Sequence, residues 1–152
     1  MDIRLDDLNG AEIKRLLQEH LDDMYDASPA KSVHALDLSA LKQADIRLWT
    51  VWQNDQLLGC GALKTHNSEE GEIKSMRTTN AARNKGVAST LLQYILGDAK
   101  QQGLTKISLE TGTQDFFAPA RALYKKHGFA ECGPFADYQP DPYSVFMSKT
   151  LS

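Results

Sequence analysis

The apolar positions of this chain follow two periods, and the first is that of the α-helix. Near the start, one helical face is mostly apolar: Ile13, Leu16, Leu17, His20, Leu21 and Met24. Asn9 with Glu12 three positions later is a variant of the capping box that begins helices, and Ser28-Pro29 marks the helix end. Further helices are predicted at 37–42, at 87–102 with Gly103 after it, and at 118–127 with Gly128 after it.

The second period is that of the β-strand. Strands are predicted at 3–5, 46–53, 56–64, 72–78, 106–110, 129–132 and 144–149. Asn54-Asp55 has the residue types of a tight hairpin turn. In the strand at 106–110, alternation places Ile107 and Leu109 on one face and Ser108 and Glu110 on the other. The order of elements predicts one mixed α/β sheet with helices packed on it.

Composition places the chain among ordinary globular proteins. Its 152 residues are expected to form one domain, 1–152, with 41% hydrophobic and 24% charged residues. The net charge of −3 argues against nucleic acid as the main partner. Cys60 and Cys132 do not make a disulfide framework and are expected to be reduced thiols. With no membrane-spanning apolar stretch and no signal-peptide pattern, we expect a cytoplasmic protein.

A basic, glycine-bearing segment directly precedes the helix predicted at 87–102, with the sequence Arg83-Asn84-Lys85-Gly86-Val87-Ala88. The first turn of a helix has unpaired backbone N–H groups and partial positive charge, and Gly86 lets an anion come close. Arg83 and Lys85 add full charges, so the pattern predicts a phosphate site. The segment lacks the Gly-Lys-Ser/Thr of a P-loop and the three glycines of a dinucleotide-binding motif. By itself it also fits an ordinary helix start with solvated basic residues.

A second motif follows further along the chain: Ala120-Arg121-Ala122-Leu123-Tyr124-Lys125-Lys126-His127-Gly128-Phe129. The two motifs together resemble the GNAT superfamily of acetyl-CoA-dependent N-acyltransferases. That signature is Arg/Gln-x-x-Gly-x-Gly/Ala opening a helix, followed by Ala-x-x-Leu-Tyr-x-x-x-Gly-Phe. The element order also fits, so the resemblance covers nearly the whole chain. Segments 71–77 and 141–147 are similar to those of a bacterial branch of small stand-alone acetyltransferases.

The resemblance implies a fold and a co-substrate site. The fold would be a mixed, mostly antiparallel sheet whose central parallel strands splay apart, flanked by helices, as in acyl-CoA N-acyltransferases. The co-substrate would be acetyl-CoA, with its pantetheine arm along Met76, Arg77 and Thr78. Its pyrophosphate would be surrounded by Arg83, Asn84, Lys85, Gly86, Val87, Ala88 and Ser89. No metal is expected, because the four histidines show no metal-ligand spacing.

The resemblance also implies catalytic residues. Tyr124 matches a tyrosine near the thioester sulfur and is expected to protonate the departing CoA thiolate as a general acid. The amine acceptor must lose a proton, and a carboxylate, directly or through water, could take it. Glu72 lies on the strand that leads to the cofactor, and Glu110 ends the next parallel strand. Both stay open as the general base, together with water alone.

The acceptor is expected between the segments 22–44 and 133–143. Both are partly acidic and aromatic, which would favour a cationic amine: Asp22, Asp23, Tyr25, Asp26, Phe135, Asp137, Tyr138, Asp141 and Tyr143. The expected function is direct transfer of an acetyl group to a primary amine of a small molecule or peptide. Two alternatives are a non-catalytic acyl-CoA-binding regulatory module and a protein that binds another nucleotide. The resemblance also allows a homodimer.

Overall fold

The computed structural model describes residues 1–34 and 37–151, and within them one seven-stranded sheet forms the centre. The strands are β1 (Asp2–Leu5), β2 (Ile46–Gln53), β3 (Gln56–Thr65), β4 (Glu70–Thr78), β5 (Lys106–Gly112), β6 (Ala130–Cys132) and β7 (Ser144–Thr150). Their order across the sheet is β1-β2-β3-β4-β5-β7-β6. The β4–β5 pair is parallel and the others are antiparallel. The predicted mixed, mostly antiparallel sheet is confirmed.

Helices cover both faces of the sheet. They are α1 (Ala11–Ala27), α2 (Leu38–Leu41), α3 (Val87–Gln101) and α4 (Ala118–Lys126). Apolar residues of α1 and α2 pack with β2 and β3 in one core. Residues of α3 and α4 pack with the central strands in a second, larger core on the other face. None of the helices in residues 1–34 and 37–151 is long and apolar enough to cross a membrane.

Turn residues behave largely as the sequence predicts. Asn54 and Asp55 both have positive φ, at 52° and 65°, which is the backbone of a tight hairpin turn. Gly103 and Gly128 follow α3 and α4 with φ of 88° and 92°, the left-handed conformation that ends helices.

The predicted capping box at the start of α1 is wrong. The helix begins after Gly10, and no side chain caps it. The backbone N–H of Asn9 instead donates to the Asp7 carboxylate at 3.0 Å, so Asn9 belongs to the preceding turn rather than to the helix start. A side-chain cap does exist at α2, where Asp37 accepts from the Ala40 N–H at 2.9 Å.

The parallel strands β4 and β5 diverge halfway along their length. Their pairing runs from Glu70 opposite Lys106 to Ile73 opposite Leu109 and stops there, although both strands continue. A bulge in β4 begins at the same point, since Ser75 has a φ of 55° and the β3–β4 register shifts there. Bulges bend a strand and increase its twist. The splayed parallel strands implied by the resemblance are therefore confirmed.

Candidate functional site

A cavity of about 110 Å³ lies where β4 and β5 diverge. Its wall includes residues of α1, the segment after α1, β4, β5, α4 and the start of β7. All three residues predicted to act in catalysis, Tyr124, Glu72 and Glu110, line this one cavity. These three residues are far apart in the sequence, and the divergence of β4 and β5 creates the cavity where they meet.

Tyr124 projects from α4 into this wall. Its side chain is buried, and its ring contacts Phe129 edge to face at 5.8 Å between centroids. Burial raises the pKa of the Tyr124 phenol well above its usual value of about 10. Among the described residues, no hydrogen bond to its hydroxyl is formed. The phenol is therefore protonated at neutral pH, with its O–H available as a donor.

The position of α4 is fixed by another residue of the second motif. The Arg121 guanidinium donates to the carbonyl oxygens of Gly112 at 2.6 Å and Gln114 at 2.9 Å. Gln114 in turn donates to the Ala27 carbonyl at 2.9 Å, at the end of α1. These bonds hold the helix that carries Tyr124 against the end of β5.

Glu72 is 2% exposed and accepts hydrogen bonds on both oxygens. His66 lies 2.9 Å from Oε1, while Lys74 at 3.0 Å and the Tyr138 hydroxyl at 2.6 Å both donate to Oε2. A buried charge is tolerated when it is paired and hydrogen-bonded, as here. Burial, and then the charge and hydrogen bond of Glu72, raise the pKa of Tyr138 far above its usual value.

Glu110 has a different set of partners. Its side chain is 12% exposed, and its two oxygens lie 2.7 and 2.8 Å from Nδ1 of His34. The Ser144 hydroxyl also donates to it at 2.8 Å. Glu72 is paired with Ser108 on the neighbouring strand, and Glu110 stands two positions after Ser108, so both carboxylates lie on the same face of the sheet.

The glycine-bearing segment forms the N-terminus of α3 as predicted. Gly86 is the N-cap, with a φ of 79°, and no side chain caps the helix. The first helical hydrogen bond runs from Thr90 N–H to the Gly86 carbonyl, which leaves the amides before it without a helical acceptor. Arg83 and Lys85 are exposed beside them, and the first turn holds no acidic residue. This geometry suits an anion.

β4 connects the cavity to that segment. Met76 lines the cavity and packs against the core of α3. Arg77 turns its side chain to the other face, where it donates to Asp23 of α1 at 2.5 Å, so only its backbone is left for a ligand in the gap. Thr78 ends the strand. Ser89, in the first turn of α3, lies 2.8 Å from His127 at the end of α4, which joins the two motifs.

Of the residues predicted to bind the acceptor, only some line the cavity. Of the acidic and aromatic residues predicted to form a rim, Tyr143 lines the cavity. Asp23 pairs with Arg77, and Asp141 accepts from Ser32 at 2.7 Å, a hydrogen bond that lowers the pKa of Asp141. Two of the predicted rim carboxylates, Asp23 and Asp141, therefore bind groups of the protein itself, and the acidic rim as a site for a cationic amine stays a prediction. Within the predicted segment 22–44, Ala35 and Leu36 lie outside the described residues.

Sequence reasoning missed three residues of this site, His34, His66 and Lys74, and it assigned Tyr138 only to the acceptor rim. Lys74 had a usable signal, since it stands two positions after Glu72 on one strand and therefore shares its face. His34, His66 and Tyr138 reach the carboxylates from loops, and His34 is 76 positions from Glu110. No local pattern reports contacts of that separation.

Metal-ligating groups and the buried thiol are two further features that bear on the chemistry of this region. Residues 1–34 and 37–151 contain no group of three or more His, Cys, Asp or Glu suited to a metal ion. Cys60 is buried, and burial raises the pKa of its thiol to about 12. Its sulfur donates to the Ser75 carbonyl at 3.3 Å, at the bulge of β4. This thiol is a packing group, because the nucleophilic form of cysteine is the thiolate.

Comparison with known proteins finds one family. The model of the acetyltransferase (GNAT) family matches residues 13–129. The uncharacterized N-acetyltransferase YsnE of Bacillus subtilis is 49% identical over 151 residues, covering 99% of this chain and 100% of that protein. The uncharacterized N-acetyltransferase YedL of Escherichia coli is 46% identical, covering 98% and 94%. An IAA acetyltransferase of Azospirillum brasilense is 40% identical, covering 89% and 86%.

Solved structures share the fold. A protein of Klebsiella pneumoniae assigned as an acyl-CoA N-acyltransferase superposes with a TM-score of 0.80 and 27% identity, covering 99% of this chain and 97% of that one. A Bacillus subtilis acetyltransferase in complex with CoA gives a TM-score of 0.73 at 20% identity, covering 99% and 98%. At that identity, the second match concerns the fold alone.

Proposed function

The chain belongs to the GNAT acetyltransferase family, and we propose that it moves an acetyl group directly from acetyl-CoA to a primary amine of a small molecule or peptide. The observation that carries this proposal is the common cavity of Tyr124, Glu72 and Glu110 at the divergence of β4 and β5. An acid and a base on one wall suit a transfer in which one group leaves protonated and the other attacks deprotonated.

The uncapped start of α3 is the proposed site for the diphosphate of CoA. It offers the amides after Gly86, with Arg83 and Lys85 alongside, and Asn84 has a φ of 63° that helps to turn the segment. Val87, Ala88 and Ser89 form the first helical turn. β4 leads from this turn to the cavity, so the backbone at Met76, Arg77 and Thr78 is the proposed track for the pantetheine arm. Acetyl-CoA supplies the activated thioester.

Tyr124 is the proposed general acid. Its buried phenol holds a proton that it can give to the departing thiolate. A thiol is already a fair leaving group, so this proton refines the rate rather than making the reaction possible. Loss of the hydroxyl would therefore slow transfer without preventing the binding of acetyl-CoA.

Proton removal from the amine is assigned to the Glu110 side of the cavity. Glu72 is nearly inaccessible, and three side chains already occupy its oxygens. Glu110 is more exposed, and its partner His34 also lines the cavity. Glu72 is therefore proposed to shape the wall, although both carboxylates fit the family's requirement for a base.

The test is release of free CoA thiol from acetyl-CoA in the presence of acceptors. The panel contains spermidine, tyramine, L-lysine and a tetrapeptide with a free α-amine. Indole acetate joins it as a carboxylate acceptor, because one relative is named an IAA acetyltransferase. Amine-dependent release supports the proposal. Binding of acetyl-CoA with no release for any acceptor would instead support a non-catalytic acyl-CoA-binding module.

Specificity for the nucleotide is tested separately by thermal shift. Acetyl-CoA, ATP and NAD are compared, since a ligand at ~100 times its Kd stabilises a protein by roughly 2.7 kcal/mol. Stabilisation by acetyl-CoA alone supports the assignment. Stabilisation by ATP or NAD alone would indicate a site for another nucleotide. The homodimer that the resemblance allows stays a prediction.

A further inference from the structure

His34 lies in the segment that follows α1 and lines the same cavity as Tyr124 and Glu110. The Ser32 hydroxyl ties this segment to Asp141 at 2.7 Å. The imidazole ring contacts the Tyr138 ring at 5.2 Å between centroids. His34 is therefore held between β5 and the loop before β7, with its side chain 32% exposed.

The partner of His34 decides which ring nitrogen carries the proton. Nδ1 lies 2.7 and 2.8 Å from the two oxygens of Glu110, and an ionised carboxylate only accepts hydrogen bonds. In the neutral ring, Nδ1 must then be the donor, which leaves the lone pair on Nε2. Among residues 1–34 and 37–151, none is hydrogen-bonded to this Nε2. The imidazole thus presents a vacant proton acceptor.

The other bases on the wall are worse placed. Both oxygens of Glu110 are taken by His34, and Ser144 donates to one of them. Glu72 accepts from three side chains. His20 also lines the cavity, but burial and the nearby Arg77 charge lower its pKa to about 4, so it is a weak base. His34 instead lines the cavity with Nδ1 held by Glu110 and with no hydrogen bond to Nε2 among the described residues.

We propose that His34 is the general base of the transfer and that Glu110 is a positioning residue that holds its Nδ1–H. This inference rests on the proposed function. The acceptor nitrogen forms a bond to the thioester carbonyl carbon, and its proton moves to Nε2 of His34. The carbon–sulfur bond then breaks, and the Tyr124 hydroxyl protonates the departing sulfur. The products are the amide and CoA thiol, and proton exchange with water restores His34 and Tyr124.

The decisive variant is His34→Asn. The asparagine amide can still donate to Glu110, while no basic nitrogen remains. With acetyl-CoA and the amine of highest turnover, kcat is expected to fall about 100-fold, within the usual range for a general base. The Kd for acetyl-CoA by calorimetry and the midpoint of thermal unfolding should match the wild type. Added imidazole should restore part of kcat, which a merely structural role would not allow.

Two further variants separate the roles. His20→Asn removes the other imidazole on the wall and should lower kcat far less than His34→Asn does, because no step is assigned to His20. Glu110→Gln leaves His34 in place but removes its charged partner, so kcat should fall about tenfold, with no rescue by imidazole. The proposal is overturned if Glu110→Gln lowers kcat as much as His34→Asn does and added imidazole fails to restore His34→Asn. Glu110 would then be the base.

The remaining outcomes are also distinct. A wild-type chain that acetylates an amine while His34→Asn does so equally fast overturns the role of His34 alone. A loss in His34→Asn that appears wholly as a higher KM for the amine, without imidazole rescue, means that His34 binds the acceptor, and this too overturns the proposal. A wild-type chain inactive on every amine overturns the proposed function itself.

Discussion

The Tyr138 hydroxyl donates a 2.6 Å hydrogen bond to Oε2 of Glu72 and so joins the loop before β7 to β4. Lys74 donates to both partners, at 3.0 Å to Glu72 and 2.8 Å to Tyr138. The Tyr138 ring packs between Phe135 and Phe146, at 5.1 and 5.7 Å between centroids. The hydrogen bonds among Glu72, Lys74 and Tyr138, supported by packing of the Tyr138 ring against two phenylalanines, therefore fix one wall of the cavity.

Glu72→Gln should destabilise the fold. The substitution keeps the volume but leaves the Lys74 ammonium, itself 9% exposed, without its negative partner. Breaking such a pair is expected to cost about 2–4 kcal/mol of unfolding free energy, or about 5–15 °C in Tm. Glu70→Gln, an exposed position of the same strand, should change the free energy by less than about 0.5 kcal/mol. Equal Tm values for the two variants would show that the network contributes little.

Tyr124→Phe should lower kcat by about 10- to 100-fold, because the hydroxyl that protonates the thiolate is lost. The Kd for acetyl-CoA should stay within about twofold of the wild type, since only a transition-state contact is removed. Steady-state kinetics and calorimetry measure the two quantities. Tyr94 is an exposed tyrosine of α3, so the matched variant Tyr94→Phe should leave both kcat and the Kd for acetyl-CoA unchanged. Full activity of Tyr124→Phe would remove this residue from the mechanism.

Gly86→Ala and Gly103→Ala make a matched pair at the two ends of α3. Both glycines have positive φ, and an added Cβ would meet no atom within 4 Å at either position. Each variant should therefore lose about 1 kcal/mol of stability from backbone strain alone. Only Gly86→Ala should weaken acetyl-CoA binding, by about tenfold, because it shifts the amides that face the diphosphate. Calorimetry that finds equal affinities would place the diphosphate elsewhere.

His20 should make stability depend on pH. Its pKa is lowered to about 4, mainly by burial and then by Arg77, whereas Asp23 opposes the shift. The unfolded chain takes up this proton near its usual pKa of about 6.5, so the folded state loses stability as pH falls from about 6.5 to 4. Because the ring is partly exposed, we expect about 1–2 kcal/mol. Denaturant titrations should show a smaller loss in His20→Gln, and identical losses would contradict this.

The sequence was informative wherever a local pattern had a single physical meaning. Asn54-Asp55 could form only a tight hairpin turn at its place between two strands, and Gly86 marked the start of α3. Hydrophobic periodicity set the strands and helices because burial requires one apolar face. The capping residue of α1 was missed, since Gly10 begins that helix by backbone conformation rather than by a side chain.

The site was only half visible in the sequence. Glu72, Glu110 and Tyr124 came from motif and strand position, and the structure places them on one cavity. What each carboxylate does depends on partners from distant loops, such as His34 for Glu110 and Tyr138 for Glu72. Those contacts exist only once the sheet has formed. Two carboxylates of the predicted acidic surface, Asp23 and Asp141, likewise have partners from distant segments, Arg77 and Ser32, that no local pattern reports.

Calorimetric titration of the purified chain with acetyl-CoA tests the central claim most directly. The claim is that the start of α3 binds the diphosphate and that β4 leads the acyl end to Tyr124. We expect one site per chain with a Kd of about 1 μM–1 mM, the usual range of enzyme KM values, and about tenfold weaker binding by Gly86→Ala. No detectable binding of acetyl-CoA or CoA at millimolar concentration would contradict the account.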